Sequence, residues 1–454
     1  MKKILLFVAF IFLFLETFSQ TRMGCKLDSN AYKNVFLAQI PQRGSNTQLP
    51  KSYSLKQFCP TPKNQGEYGT CVAWTSAYYA RTMMLAQKNK WKGTKEIDAN
   101  AGSPYFIYEN IKGYTDKNCQ EGAGLIIALE ALKQHGTVAF SSFSKPCGQP
   151  ISDDLRKKAE NYKIGEYRRI FLANSKEKAL AVKKSISQGK PVVIGLQCFF
   201  KSFIQAKDSI WKPKEKELEE NWKDEGGHAL TIVGYNDDLQ AFEVVNSWGT
   251  SWANKGFIWM PYQYFNEICF EAYEMYEIEE PASQIAGEVK FNLSVGVEMP
   301  LRLKDGFYET TQTYQAGTLF KMYLSNAEPI YMYAFSTDLL DKSHLIFPSE
   351  QKSPLLYQNM STTLPDENHY IQIDNPSTTD YICVLYSKER LHLPSLLEQL
   401  SALEGKLLDR IQKVLGSKLI PVQQINFQEV TGIKFTARAD KGSILPIIVV
   451  IKKK

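Results

Sequence analysis

The chain has 454 residues, of which 44% are hydrophobic and 22% charged, as in a globular protein with room for two or three domains. The formal net charge is only +6 and the lysines are scattered, so composition does not favour a nucleic-acid-binding protein. The basic end Lys452–Lys454 is interpreted as a solvated tail rather than a binding site.

The first twenty residues have the pattern of a secretory signal peptide. Lys2 and Lys3 form a positive region, Ile4–Leu15 is apolar, and small or polar residues lead to a cleavage point near Ser19 or Gln20. This apolar run is shorter than the roughly 20 helical residues that cross a bilayer, although an uncleaved anchor is the alternative. We therefore predict an exported protein, periplasmic, at the cell surface or secreted, with no stable membrane span after signal cleavage.

Eight cysteines could form disulfide bonds in an exported protein. They stand at positions 25, 59, 71, 119, 147, 198, 269 and 383. Connectivity does not follow from the sequence, but proximity along the chain suggests Cys119 with Cys147 and Cys25 with Cys59.

Helical and then strand patterns follow a polar leader at 21–47, which is predicted to be loosely structured. The predicted helices span 70 to about 87, 103–110, 125–133, 152–163 and 175–188. The predicted strands span 191–196, 228–235, 241–245, 256–260 and 271–278. A helical half followed by a strand half predicts two lobes with a cleft between them, in a domain that we place at 48–282.

The strand pattern becomes irregular around 279–287, which we interpret as a domain boundary. We place an accessory domain at 287–454. Short strand-like runs separated by turn residues predict a sandwich or barrel, at 289–295, 319–324, 330–335, 370–373, 381–386, 425–429 and 444–451. Leucines recur at helical spacing from Leu393 to Ile411, which predicts one long helix in this mostly-β domain.

Cys71 stands where a glycine-containing turn, 64–70, enters the first predicted helix. A cysteine in the first helical turn lies near the positive end of the helix dipole, which favours the nucleophilic thiolate over the thiol. Gln65 lies six residues upstream and can direct its side-chain amide toward the same point. We therefore predict that Cys71 is a catalytic nucleophile.

His228 begins one predicted strand and Asn246 follows the end of the next, with a turn at 236–238 between them. If the two strands pair as an antiparallel hairpin, Asn246 lies beside His228. His228 could then take the proton of the Cys71 thiol and return a proton to a leaving amine, while Asn246 orients the imidazole. Trp248 could cover the His228–Asn246 hydrogen bond and keep water away from it.

Three motifs resemble those of the papain-like cysteine peptidases: N-Q-G-x-x-G-T-C-x-A at 64–73, G-H-A-x-x-x-x-G-Y at 227–235, and N-S-W-G-x-x-W-x-x-x-G-F at 246–257. The resemblance covers roughly Leu49 to Ile278. It implies an α+β fold with a helical lobe and an antiparallel β-barrel lobe. It also implies a catalytic set, in which the Gln65 amide and the Cys71 backbone N–H stabilise an oxyanion, and a substrate groove. The catalytic set is Cys71, His228, Asn246 and Gln65; the groove residues are Gly122, Gly124, Gly227 and Trp248.

Some positions depart from the family pattern. Tyr68 stands where the family usually has a second cysteine, Val72 where it has tryptophan, and Ala123 interrupts the family's glycine pair. No long helical pro-segment precedes the domain, so latency through a large inhibitory pro-domain is not expected. These features resemble bacterial branches of the family, and 287–454 resembles an uncharacterised β-rich domain that accompanies exported bacterial proteins.

The predicted function is therefore that of an exported cysteine peptidase acting on peptide or protein substrates, without a cofactor. A cell-wall amidopeptidase or an acyl-transferring cysteine enzyme is an alternative, but neither explains Gln65 together with N-S-W-G. A peptide-binding pseudo-peptidase is a further alternative, although it would be expected to have lost Cys71, His228 or Asn246. The sequence has no cysteine–histidine cluster with the spacing of a zinc site. The accessory domain could contact a surface component or a protein.

Overall fold

The computed structural model describes residues 23–38, 49–172, 174–197, 201–214, 217, 227–277, 283–339, 343–349, 352–356, 360–366, 369–374, 380–429 and 432–454. The predicted signal peptide and most of the predicted domain boundary lie outside these ranges. Within them, no helix combines the length and the apolar character that crossing a bilayer requires.

The helix that begins at Cys71 forms the centre of the helical lobe. It runs without interruption through Cys71–Ala73, a π-helical segment Trp74–Arg81, and Thr82–Asn89. Every residue from 71 to 86 is buried, which is typical of a helix surrounded by other elements. The prediction of a helix from 70 to about 87 is confirmed.

Among the shorter helices, Pro104–Ile111 and Leu125–Gln134 pack against this central helix. Ser103 caps one of the shorter helices, since its hydroxyl accepts the Phe106 backbone N–H at 3.2 Å. The predictions at 103–110, 125–133, 152–163 and 175–188 each correspond to a helix. The helices are Thr94–Ala99, Pro104–Ile111, Leu125–Gln134, Asp153–Ala159, Lys178–Ser187, Lys201–Ile204 and Tyr262–Ile268.

The second lobe is a seven-stranded antiparallel sheet. Its strands are β1 (Ser52–Ser54), β2 (Glu166–Arg169), β3 (Val192–Gln197), β4 (Gly227–Asn236), β5 (Ala241–Val245), β6 (Phe257–Pro261) and β7 (Cys269–Tyr276). They are ordered β2-β7-β3-β4-β5-β6, with β1 also paired to β4. One continuous hydrophobic core joins this sheet to the helical lobe. The five predicted strands correspond to β3–β7, whereas β1 and β2, which lie before and among the helices in sequence, were not predicted.

The leader is more ordered than the sequence suggested. Residues Ser29–Asn34 form a helix, and the side chain of Asp28 accepts the backbone N–H groups of Asn30 and Ala31 at 3.1 and 2.8 Å. Tyr32 is buried and donates to the Phe171 carbonyl at 2.6 Å. Burying this aromatic ring fixes a segment whose composition is otherwise polar.

The accessory domain contains two sheets that share a core. Its strands are β8 (Gln284–Leu293), β9 (Leu301–Lys304), β10 (Phe307–Thr310), β11 (Leu319–Asn326), β12 (Ile330–Thr337), β13 (Ser343–Phe347), β14 (Leu355–Leu356), β15 (Met360–Leu364), β16 (Ile371–Gln372), β17 (Asp380–Ser387), β18 (Ile425–Glu429), β19 (Ile433–Arg438) and β20 (Ile444–Ile451). One sheet has the order β13-β12-β17-β20-β10-β9 and the other β15-β11-β8-β19-β18. Side chains of both sheets pack in one cluster, as in a sandwich.

The prediction of one long helix in the accessory domain is wrong. Two helices are present, Leu393–Ser401 and Leu407–Leu415. Between them Gly405 has φ +102°, a left-handed conformation that a continuous right-handed helix cannot contain. Both helices nevertheless present leucines to the outer face of the β12–β17–β20 sheet. The hydrophobic periodicity therefore predicted correctly which side chains are buried, but it did not predict the interruption between the two helices.

One of the two suggested disulfide bonds is present. Cys119 and Cys147 are joined, whereas Cys25 and Cys59 are both free and buried. The pairing of Cys25 with Cys59 is therefore wrong. The Cys25 thiol instead contacts Glu271, and Cys59 follows the short helical turn Lys56–Phe58.

The predicted accessory domain contacts both the two-lobed domain and the leader. The buried Arg168 guanidinium donates to the Ser353 hydroxyl at 2.8 Å and to the Leu355 carbonyl at 2.5 Å. Leu37 of the leader forms backbone bridges with Arg169 on one side and with Lys352 on the other.

Candidate active site

Cys71 is the first residue of the central helix and is fully buried. The turn before it is held against the segment that follows β5, because the Gln65 backbone N–H donates to the Ser247 carbonyl at 2.8 Å. Gly66 has φ +69°, which allows the sharp turn, and its N–H donates to the Asn64 side chain at 2.9 Å. The helix start is therefore tied to the sheet lobe, across the cleft.

His228 and Asn246 are brought together by the β4–β5 hairpin. The strands pair from Thr231 with Val245 to Asn236 with Ala241, and His228 Nε2 lies 2.8 Å from Asn246 Oδ1. The Trp248 indole stacks on the imidazole, with ring centroids 4.7 Å apart and an interplanar angle of 25°. The ring thus has a fixed orientation and a hydrophobic cover.

The same hydrogen bond defines the role of each imidazole nitrogen. Asn246 Oδ1 also accepts the Ser247 backbone N–H at 2.8 Å, which orients the amide with its oxygen toward the ring. An accepting oxygen at Nε2 requires a proton there, so Nδ1 of a neutral ring carries the lone pair. Nδ1 is buried and has no hydrogen-bond partner in the part of the chain that the structure describes. It is therefore the nitrogen available to receive a proton.

The Gln65 side chain is buried and fixed at both ends of its amide. Its Nε2 donates to the Tyr68 carbonyl at 2.8 Å, and its Oε1 accepts the Ser247 hydroxyl at 2.5 Å. Ser247 stands within the N-S-W-G motif, but nothing in the sequence pattern assigned it a role. Its hydroxyl orients the amide whose N–H groups could stabilise an oxyanion.

Replacing Ser247 with alanine should lower kcat for a peptide by about tenfold with little change in KM, less than the roughly 10²–10³ lost with a complete oxyanion donor. The reason is that Gln65 would remain but lose its orientation. In a double-mutant cycle, Ser247→Ala should add little to Gln65→Ala, since both act through one amide. Steady-state kinetics of the three variants test this, and independent, additive losses would contradict it.

The groove beside these residues contains the leader. Cys25 exchanges two backbone hydrogen bonds with Gly227, at 2.9 and 3.0 Å. On the opposite wall, Lys26 donates to the Ala123 carbonyl at 2.9 Å and Ala123 donates to the Gly24 carbonyl at 2.8 Å. Residues 24–26 therefore form an extended segment between two walls, much as a strand is added to a sheet.

Gly24 allows the backbone of the leader to lie very close to the backbones of Gly69 and Gly122. A Cβ atom there would lie 2.3 Å from the Gly69 carbonyl oxygen, and a Cβ on Gly122 would lie 2.3 Å from the Gly24 oxygen. The three backbones consequently meet at a distance that only glycine allows.

The predicted groove residues do not all contact the leader in the same way. Gly227 and Ala123 provide the backbone hydrogen bonds, Gly122 packs on Gly24, and Gly124 lies next to the Lys26 carbonyl. Trp248 instead lies on His228. Ala123, which appeared to interrupt a glycine pair, itself makes both hydrogen bonds on its wall.

Burial controls the charge of Cys71 and His228 in this form. It raises the pKa of the Cys71 thiol from 9.0 to about 11, although the backbone N–H groups of Ala229 and Gly24 oppose the rise. It lowers the pKa of His228 from 6.5 to about 4, against the opposing effect of the hydrogen bond that His228 donates to Asn246. Both groups are therefore neutral at pH 7. The thiolate expected from the helix dipole is not favoured here, because desolvation outweighs that dipole.

Comparison with known proteins shows that residues 49–278, just over half of the chain, match the family described as papain family cysteine protease. An uncharacterized peptidase C1-like protein of Acanthamoeba polyphaga mimivirus is 25% identical over 211 residues, which cover 44% of this chain and 64% of that protein. Mouse cathepsin K is 26% identical over 208 residues, covering 45% and 57%. The chain thus matches less than two thirds of the length of each of these relatives.

A solved structure also resembles the chain. Xylellain, a cysteine protease from Xylella fastidiosa, is 23% identical and aligns over 57% of this chain and 98% of its own, with a TM-score of 0.47. On the family match of its residues 49–278, the chain belongs to the papain family of cysteine proteases.

Proposed function

We propose that this chain is an exported cysteine peptidase that hydrolyses peptide bonds through Cys71, His228 and Asn246, with Gln65 in the oxyanion hole. The observation that carries the proposal is the 2.8 Å bond from His228 to Asn246, which leaves Nδ1 as the accepting nitrogen. The backbone N–H of Ala229, next to His228, lies near enough to the Cys71 thiol to lower its pKa, which adds support.

The proposed chemistry follows from these roles. His228 Nδ1 takes the thiol proton as the Cys71 sulfur attacks the substrate carbonyl carbon, whose oxygen becomes negative. The Gln65 amide and the Cys71 backbone N–H would stabilise that oxygen. The imidazolium then donates its proton to the departing amine as the carbon–nitrogen bond breaks, leaving an acyl-enzyme. Water, activated by the neutral imidazole, hydrolyses the thioester and restores the thiol.

Substrate can reach Cys71 only when the leader has left the groove. Residues 24–26 use the same Gly227 and Ala123 backbone groups that an extended substrate would need. This form of the protein is therefore a latent one, in which a short segment occupies the groove without a large pro-domain.

We propose the following organisation of the chain: a signal peptide at 1–20, the leader at 21–47, the catalytic domain at 48–282 and the β-rich accessory domain at 287–454. The separate hydrophobic clusters of the last two regions support that division. The Cys119–Cys147 disulfide supports export to an oxidising compartment, periplasmic, surface or extracellular.

The test combines a cleavage assay with covalent labelling. The purified chain is incubated with a peptide library and with an epoxysuccinyl inhibitor, and labelled residues are mapped by mass spectrometry. We expect cleavage and a single adduct on Cys71, both increasing when the leader is displaced. Cys269, which is also free and buried, is the internal reference for labelling, because the only adduct is expected on Cys71. Neither cleavage nor an adduct on Cys71 after displacement of the leader would reject the assignment.

Removing the accessory domain by truncation after residue 286 should preserve the cleavage of short peptides, because the catalytic core is complete without it. The truncation removes the hydrogen bonds of Arg168 to Ser353 and Leu355 and opens its guanidinium to water, so the free energy of unfolding should fall by at most about 1–3 kcal/mol. Kinetics with a small fluorogenic peptide and denaturant unfolding test both parts.

Full-length Ser353→Ala is the matched control for the truncation, since it removes one of the two acceptors of Arg168 and keeps the domain. A truncated chain that remains folded but no longer cleaves a short peptide would contradict the expectation.

A further inference from the structure

The leader is attached to the rest of the chain at a second place, outside the groove. Residues 36–38 run along the edge of β2, where the Ala38 backbone N–H donates to the Arg169 carbonyl at 2.7 Å and the Arg169 N–H donates to the Phe36 carbonyl at 3.0 Å. The Arg169 guanidinium also lies 5.5 Å from the centroid of the Tyr32 ring, which belongs to the leader helix. Arg169 therefore binds the leader through both its backbone and its side chain.

The accessory domain covers the other side of this attachment. Leu37 forms a backbone bridge with Lys352. Because the residues on either side of it bond to β2, the backbone groups of Leu37 face away from that strand and toward the accessory domain. The Arg390 guanidinium of the same domain lies over the Phe36 ring, 5.8 Å from its centroid, at a distance typical of a cation–π contact. Residues 36–38 are therefore enclosed between β2 and the accessory domain.

The neighbouring residue of β2 fixes the position of the accessory domain. Arg168 is fully buried, and its Nη2 donates to the Ser353 hydroxyl at 2.8 Å and to the Leu355 carbonyl at 2.5 Å. Its guanidinium also lies 4.9 Å from the centroid of the Tyr276 ring. Because successive side chains of a strand point to opposite faces, β2 binds the leader with Arg169 and the accessory domain with Arg168.

The helix Ser29–Asn34 connects the two attachments of the leader. It has only six residues, too few to be stable by itself, so the leader keeps its shape only while it is held at both ends. We propose that the accessory domain acts as a clamp on the leader, through Lys352 and Arg390, and thereby limits how often residues 24–26 leave the groove. This inference rests on the latent state described under the proposed peptidase function.

The expected size of the effect follows from the contacts that the clamp adds. Local opening of a segment requires that the contacts holding it be broken, so each contact lowers the population of the open form. A backbone bridge and an exposed cation–π contact are individually weak, but losing both should raise that population by about tenfold. Truncation after residue 286 removes both contacts, so it should increase the cleavage of short peptides and not merely preserve it.

The first experiment measures hydrogen exchange in the full-length chain, with mass spectrometry resolving the amides of Cys25 and Lys26. Both amides are hydrogen-bonded in the groove, so they exchange only when the leader leaves it. Arg390→Ala should accelerate their exchange by about two- to fivefold, as expected for the loss of an exposed cation–π contact. The control is Arg438→Ala, which removes another exposed arginine of the same domain, paired with Asp440, and should keep the parent rate.

A double-mutant cycle tests whether Arg390 acts through the leader. Phe36→Leu keeps the backbone and an apolar side chain but removes the ring beneath Arg390, so it should accelerate exchange at residues 25 and 26 by about twofold or more. Adding Arg390→Ala to Phe36→Leu should then change little, since both substitutions remove the same contact.

Alkylation of Cys71 by iodoacetamide is a second measurement that needs no catalysis. The thiol is fully buried beneath the leader, so its reaction rate should rise by the same factors as the exchange. Exchange across β17 should stay slow in every variant, which shows that the accessory domain remains folded.

The outcomes separate the clamp from the peptidase function. Parent rates at residues 25 and 26 in the Arg390→Ala chain, faster exchange confined to residue 38, or additive effects in the double variant would overturn the clamp. If exchange and alkylation respond as expected while no variant cleaves any peptide, the clamp is supported and the proposed peptidase function fails.

Discussion

Replacing Cys71 with alanine should abolish peptide hydrolysis, with kcat falling by about 10⁴-fold or more, because the variant has no atom that can form the acyl-enzyme. Labelling of position 71 by an epoxysuccinyl inhibitor should vanish at the same time. The assay belongs in a Gly24→Val background, where occupancy of the groove by the leader no longer masks the difference.

The matched control is Cys383→Ala in the accessory domain, which removes another free, fully buried thiol. Both substitutions delete one buried sulfur, so a general loss of packing should affect the two chains similarly, whereas hydrolysis should fail only without Cys71. Circular dichroism would show that both remain folded. Retained hydrolysis in the Cys71→Ala chain would exclude this residue as the nucleophile.

The central helix and the hairpin could be predicted because each depends on short-range patterns. Helical periodicity after residue 70 identified the helix, and a turn between two β-branched runs placed His228 beside Asn246. These two elements orient the candidate catalytic side chains, so local sequence patterns were sufficient for them.

The position of the leader could not be predicted, because it depends on contacts between residues far apart in sequence. Gly24 meets Gly69 and Gly122 through backbone atoms, and no periodicity in residues 23–28 indicates such a contact. Ser247 escaped prediction for a related reason, since its partner Gln65 lies 182 residues away. Backbone complementarity and buried hydrogen-bond partners leave little trace in the amino-acid pattern.

The charge of Cys71 shows how a correct local argument can be outweighed. The helix start does favour a thiolate, typically by a modest amount at a surface. Burial beneath the leader favours the neutral thiol more strongly, and the pKa rises to about 11. The sequence indicated the helix dipole but not the segment that excludes water from Cys71. Whether the Cys71 thiol is latent or reactive therefore depends on the position of residues 24–26.

Replacing Gly24 with valine should release that segment and raise the reactivity of Cys71. The new Cβ would lie 2.3 Å from the Gly69 carbonyl oxygen and 2.6 Å from its Cα, and neither backbone atom can move aside as a side chain could. Once exposed, the thiol should lose the desolvation that raised its pKa from 9.0 to about 11. Two pH units correspond to about 100-fold more thiolate at pH 7, so the change in ionisation should accelerate alkylation by iodoacetamide by up to that factor.

The pH dependence distinguishes this effect from improved access alone. Because burial raises the thiol pKa, the midpoint of the alkylation rate should fall, by up to about two pH units, on release of the leader, whereas access alone raises the rate equally at every pH. The pKa of His228 should rise from about 4 toward 6.5 in the same variant, which further favours a thiolate beside an imidazolium. Gly113→Ala is the control, since its Cβ would meet no heavy atom closer than 3.7 Å. If the Gly24→Val chain reacts with the rate and midpoint of this control, the leader does not hold Cys71 in its neutral form.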